Sequence, residues 1–95
     1  MEKQGIDRFY KYAKVNDLNV FRDDVNMGID QNIFIGEDLF WLGAWRDNTR
    51  IISQCPDGRT EGIYKDADDM LNNFIFGGKR LIDLINAGAV DYADE

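Results

Sequence analysis

Histidine is absent from this 95-residue chain. The absence removes the one side chain that titrates near neutral pH without help, and with it the usual base beside a serine or cysteine nucleophile. Ser-His and Cys-His catalysis are excluded, as are zinc sites of the Cys₂His₂ and His₃ kinds. Cysteine occurs once, at Cys55. No intramolecular disulfide forms, which rules out a disulfide-stapled secreted scaffold. No apolar run approaches the ~20 residues of a membrane span. Met1-Glu2-Lys3-Gln4-Gly5 leads into no apolar core of a signal peptide, so the cytoplasm is the expected location. Positive charge is also scarce: 11 Lys and Arg against 18 Asp and Glu leave a net charge of −7. Such a chain repels phosphates and anionic lipids, so no direct nucleic-acid or membrane binding is expected. A basic protein surface attracts it, although charge of about this size also serves solubility alone.

What is present suits one globular domain over residues 1–95. Hydrophobic residues make up 44% and aromatics 13% of the chain, well above the composition of disordered segments. The spacing of Ile6, Phe9, Tyr10 and Ala13 predicts a helix over 5–15. Residues 18–31 have no clean period and read as a short strand followed by a loop. From Asn32 the pattern turns to β. Runs at 32–36, 39–45, 50–55 and 60–64 are rich in β-branched and aromatic residues. Glu37-Asp38, Asp47-Asn48 and Pro56-Asp57-Gly58 supply the turns between them. Asp66 is an N-cap signal, with Asp68 and Asp69 in the first turn. Ala67, Met70, Leu71, Phe74 and Ile75 then make one apolar stripe, which Gly77-Gly78 ends. A second short helix carries Leu81, Leu84 and Ile85 inward, and 90–95 reads as an acidic tail. The expected fold is α+β: an antiparallel meander of three or four strands, with an N-terminal helix and two C-terminal helices packed on it.

Charge is blocked along the chain. Residues 17–45 carry one basic and six acidic groups, and residues 66–95 carry two basic and seven acidic. The intervening segments are slightly basic, so two blocks of −5 account for more than the whole net charge.

Few constellations point to chemistry. Asp24, Asn26, Gly28, Asp30 and Asn32 alternate like the oxygen ligands of a calcium loop. Ile29 stands where that loop needs Gly, and Ile35 where it needs a bidentate Glu. Gly77-Gly78-Lys79 suggests a phosphate loop, but Asn73 and Arg80 replace its leading Gly and trailing Ser or Thr. What remains there is a generic anion site beside a helix start. Cys55 has no histidine base. Glu37 and Asp38 point to opposite faces if the strand runs through them, and Asp66 and Asp69 are explained by capping. No catalytic residue, cofactor or metal ion is expected. Trp41 and Trp45, four apart on a strand, share a face and form either core or an apolar hot spot.

The stretch Gly62-Ile63-Tyr64-Lys65-Asp66-Ala67-Asp68-Asp69-Met70-Leu71, with Phe74 and Gly78-Lys79-Arg80-Leu81-Ile82-Asp83-Leu84-Ile85, resembles the C-terminal end of small acidic α+β proteins of phages and mobile elements. The resemblance covers the last third of the chain. It implies a last strand entering a capped helix, then a Gly-Lys turn and a short amphipathic segment. Some small acidic phage proteins of this size, anti-CRISPR proteins among them, bind and block bacterial defence complexes. The two acidic blocks, the lack of catalytic groups and the compact size make the expected function a protein-binding module for a partner with a basic surface, in its sharpest form an inhibitor that fills a nucleic-acid-binding groove. Asp23, Asp24, Asp30, Glu37 and Asp38 are the first candidates for contact, with Asp66 and Asp69 behind them. The alternative is an anion or small-molecule binder with an aromatic-lined pocket near Gly78-Lys79-Arg80. The oligomeric state is open.

Overall fold

The computed structural model describes residues 8–55 and 58–95. Its centre is the meander that the alternating pattern predicts. Strands β2 (Gln31–Ile35), β3 (Asp38–Trp45), β4 (Thr49–Gln54) and β5 (Arg59–Tyr64) pair antiparallel in chain order. The β2–β3 turn is Gly36-Glu37, and Asp38 already belongs to β3. Asp47 and Asn48 turn the chain with φ of 58° and 59°, a region these two residue types tolerate better than most. Pro56 and Asp57, of the expected Pro56-Asp57-Gly58 turn, lie outside the described residues.

The sheet is wider than the expected three or four strands. It has six, in the order β1-β8-β2-β3-β4-β5, and every neighbouring pair is antiparallel. Both added strands correct the sequence reading. Where a helix over 5–15 was expected, Tyr10–Lys14 forms strand β1. Its apolar spacing is helical, but its partner comes from the far end of the chain, and tertiary pairing overrides local preference. All five residues of β1 are exposed, so a helix here has no core to bury. Where an acidic tail was expected, Val90–Asp94 forms β8, bonded to β1 on one side and β2 on the other. Val90 is fully buried and Tyr92 half-buried, so alternate residues of this acidic segment face the core.

Helix α1 (Leu18–Asn26) is the third correction, since a strand and loop were expected there. Asp17 starts it, its Oδ1 accepting the N–H groups of Asn19 and Val20 at 3.1 and 3.2 Å. Phe21 and Val25, one turn apart, are its fully buried residues, and the polar residues between them conceal the period. Helix α2 (Ala67–Asn73) begins on Asp66 as predicted but ends earlier. Phe74 leaves it in extended backbone, and β6 (Ile75–Phe76) and β7 (Lys79–Arg80) form a small hairpin about Gly77-Gly78. Ile75, expected on the apolar stripe, is exposed. Helix α3 (Leu81–Asn86) follows.

The helices cover one face of the sheet. Phe21, Val25, Met70, Leu71, Leu81 and Ile85 pack there against Ile33, Phe40, Ile52 and Val90. Phe40 receives the ring edges of Phe74 and Phe76 at 5.9 and 5.3 Å. Among the described residues no helix is long and apolar enough to cross a membrane.

Candidate functional site

At one end of the helix-covered face, α1 stands away from the ends of β1, β8 and β2. A groove of about 660 Å³ opens between them, within the ~300–1,000 Å³ range of ligand sites. Asp17, Val20 and Asp24 line it from α1, spaced i, i+3 and i+7 on one helix face. Asp94 and Tyr92 line it from β8, and Tyr12 from β1. The Tyr12 and Tyr92 rings stack at 6.1 Å and 20°.

A β-bulge sets the polarity of this groove. Lys11 pairs with Ala93 and Ala13 with Tyr92, so Tyr12 is an extra residue in β1. The bulge resets the alternation of side chains. Tyr12 and Ala13 both turn to the groove side with Tyr92, whereas Lys11 and Lys14, three apart, both fall on the opposite face. There Lys11 lies 5.5 Å over the Phe34 ring. The Lys14 ammonium lies 3.2 Å from buried Asp91. Lys14 is the one basic residue of the groove lining among the described residues, and its charge is spent on the other side of the sheet. Among the described residues no ion pair engages Asp17, Asp24 or Asp94. Their field registers on Tyr92: burial raises the pKa of its phenol above the ordinary 10.0, and the charges of Asp24, then Tyr12 and Asp17, raise it further.

Asp23 and Asp24 stand in the last turn of α1, which has no basic residue of its own. Negative charge there opposes the helix dipole by about 0.3–1 kcal/mol per group. Gln31, at the start of β2, also lines the groove, and its buried Nε2 has no hydrogen-bond partner among the described residues. A buried donor left unmet costs about 1–3 kcal/mol.

The expected contact residues divide. Asp24 lines the groove; Asp30 borders it, but its Oδ1 leans over Gly43 beside the Trp41 ring, on the opposite face of the sheet. Asp23 is exposed and does not line it. Glu37 and Asp38 lie at the opposite end of β2. Glu37 pairs with Lys11 at 3.1 Å, and Asp38 accepts from Gln54 Nε2 at 3.4 Å. Asp66 accepts the Asp69 N–H at 2.8 Å, and Asp69 accepts the Lys65 N–H at 3.0 Å, so both build the start of α2. Asp17 and Asp94 were missed. Asp17 lies just beyond the helix expected over 5–15 and Asp94 within the expected acidic tail, and only the i, i+3, i+7 face of α1 signals the first.

The remaining motifs disperse. Asp24 and Asn26 belong to α1 while Asp30 and Asn32 flank the start of β2, so 24–32 is not a ligand loop. Among the described residues no cluster of acidic or Cys side chains is arranged to hold a metal ion. Gly77-Gly78 is a hairpin turn, and Arg80 is held by Asp83 at 2.9 Å. Burial raises the Cys55 thiol, which disfavours the thiolate. Trp41 and Trp45 do share a face, the one without helices. Trp41 lies over Gly43, and Trp45 is 43% exposed with the Arg46 guanidinium 5.7 Å from its ring.

Comparison with family models, with curated proteins and with solved structures finds no match for this chain.

Proposed function

We propose that this chain is a small, non-catalytic binding module whose acidic groove docks on a basic surface of a protein partner. One observation carries the reading. The groove gathers Asp17, Asp24 and Asp94 around a tyrosine pair, while the bulge at Tyr12 sends both lysines of β1 to the other side. Carboxylates held together, with no ion pair to them among the described residues, attract a cation and steer its approach. In its sharper form the partner is a nucleic-acid-binding protein and the chain its inhibitor, by analogy of size and charge with small acidic phage proteins that block defence complexes. The alternative anion pocket near Gly78-Lys79-Arg80 is disfavoured separately, because the Arg80 guanidinium is held by Asp83.

The test uses a partner captured from the source cell and identified by mass spectrometry. Binding is measured from about 50 to 500 mM salt, across which the Debye length shrinks severalfold. The reading expects weaker binding as salt rises. It also expects Asp24→Lys to slow association much more than Asp23→Lys, since only Asp24 lines the groove. Equal effects of the two reversals would assign the attraction to overall charge. Insensitivity to both salt and reversal would make the acidity a solubility device. Trp45→Ala would then be the next variant, because an apolar hot spot resists salt but not truncation.

A further inference from the structure

The face of the sheet turned away from the helices is apolar too. Opposed residues of antiparallel strands share a side, so the register gathers Phe34, Leu39, Trp41, Trp45, Ile51 and Ile63 there. None of them belongs to the core under the helices. An antiparallel sheet with one covered face ordinarily turns polar residues out on the other. Here Phe34, Leu39 and Ile51 are buried among their neighbours, and Trp45 and Ile63 stand out from them, 43% and 48% exposed. Exposed apolar surface of this kind marks a contact.

Charge decides what can approach it. The chain carries −7, so two copies repel in most orientations. On this face the charges of the described residues balance. Lys11 and Lys14 meet Glu37 and Asp91, and Arg46, over the Trp45 ring, offsets Asp30, over Gly43. A second copy approaches here without net repulsion. The extent fits as well. Six strands of five to eight residues, about 4.8 Å apart and rising about 3.4 Å per residue, make a face of roughly 500–800 Å². A specific interface takes about 500–800 Å² from each partner.

We infer that this chain forms a two-fold dimer in which the helix-free faces of two copies pack sheet on sheet around Trp45 and Ile63. The acidic groove opens on the helix side and stays free in both copies, so the inference is independent of what the groove binds.

Sedimentation velocity from micromolar to millimolar concentration tests it. Wild type is expected to pass from monomer to dimer, and to do so at lower concentration as salt rises, because salt screens the net charge and spares the apolar contact. Trp45→Ala and Ile63→Lys are each expected to raise the dimer Kd at least about tenfold, as hot-spot residues do. Ile75→Lys, at a residue as exposed but outside this face, is expected to leave it unchanged. A second measurement needs no variant: tryptophan emission should move to the blue as wild type associates. A monomer at every concentration and salt overturns the inference. So does a dimer that salt dissociates, or one that Ile75→Lys weakens as much as Ile63→Lys. A dimer with unshifted tryptophan emission overturns it too, since its contact then lies elsewhere.

Discussion

At the scale of single residues, Arg50 does the most to hold the groove's helix in place. Its Nε donates to the Val25 carbonyl at 2.8 Å, its Nη2 to the Asn26 carbonyl at 2.5 Å and its Nη1 to the Thr49 carbonyl at 2.9 Å. The last carbonyls of a helix have no partner within it, and β4 supplies one here. Asn26 extends the tie, its Oδ1 accepting the Ala67 N–H at 2.8 Å. Arg50→Met keeps the stem and removes the donors. It should lower stability by about 2–4 kcal/mol, since bonds from charged donors contribute about 1.5–3 kcal/mol each and this site is partly exposed. Arg50→Lys should recover less than half, because one ammonium cannot span the three carbonyls. Urea denaturation measures both. Tyr92 reports the groove in another way. Burial first, then Asp24, Tyr12 and Asp17, raise its phenol above 10.0. The unfolded chain therefore loses this proton first, and the folded state loses stability as pH rises from about 10 through the folded value. The difference between the ultraviolet titrations of wild type and Tyr92→Phe should place this phenolate above pH 10. Asp24→Asn should bring it part of the way back, burial being the larger cause.

At the scale of elements, what the sequence made legible was whatever lies next to its partner in the chain. The meander of β2 to β5 and the two C-terminal helices follow from local alternation, turns and capping. Strands β1 and β8 pair with each other across most of the chain, and no local pattern announces that. Helix α1 hid because two buried residues, Phe21 and Val25, are too few to define a period. At the end of α2 the stripe misled by one residue: Phe74 is 2% exposed although it has left the helix, and Ile75 is turned out. Phe74→Ala should still cost about 3–5 kcal/mol, the range for truncating a buried aromatic. It should also loosen the Phe40 cluster, to which Phe74 contributes a ring edge. An unchanged denaturant midpoint would show that the element does not pack on the sheet.

At the scale of the whole molecule, the site was half legible. Charge blocks marked Asp24 and Asp30, but the groove draws on a helix start, a helix end and the C-terminal strand, which only the fold brings together. Its carboxylates work against the fold that holds them. Neutralising Asp24, in the last turn of α1 and near Tyr92, should raise stability by about 0.3–1 kcal/mol while weakening the partner. Thermal melts of Asp24→Asn beside its binding curve test that exchange, and a destabilised variant would place Asp24 among the structural residues. The position of β8 has a kinetic side as well. Lys14 and Asp91, neighbours in the sheet, are 77 residues apart in the chain. At about 5–20 residues per second of synthesis, β1 waits roughly 4–15 s for the strand that will hold it. During that interval the meander is free to assemble, but both flanks of the future β8 are open edges, the outer rim of β2 and the whole of β1. Open edges invite pairing with other chains. In β1 the bulge at Tyr12 and the lysines at 11 and 14 disfavour it. The same irregularity that empties the groove of positive charge thus guards the nascent chain while its last strand is still on the ribosome.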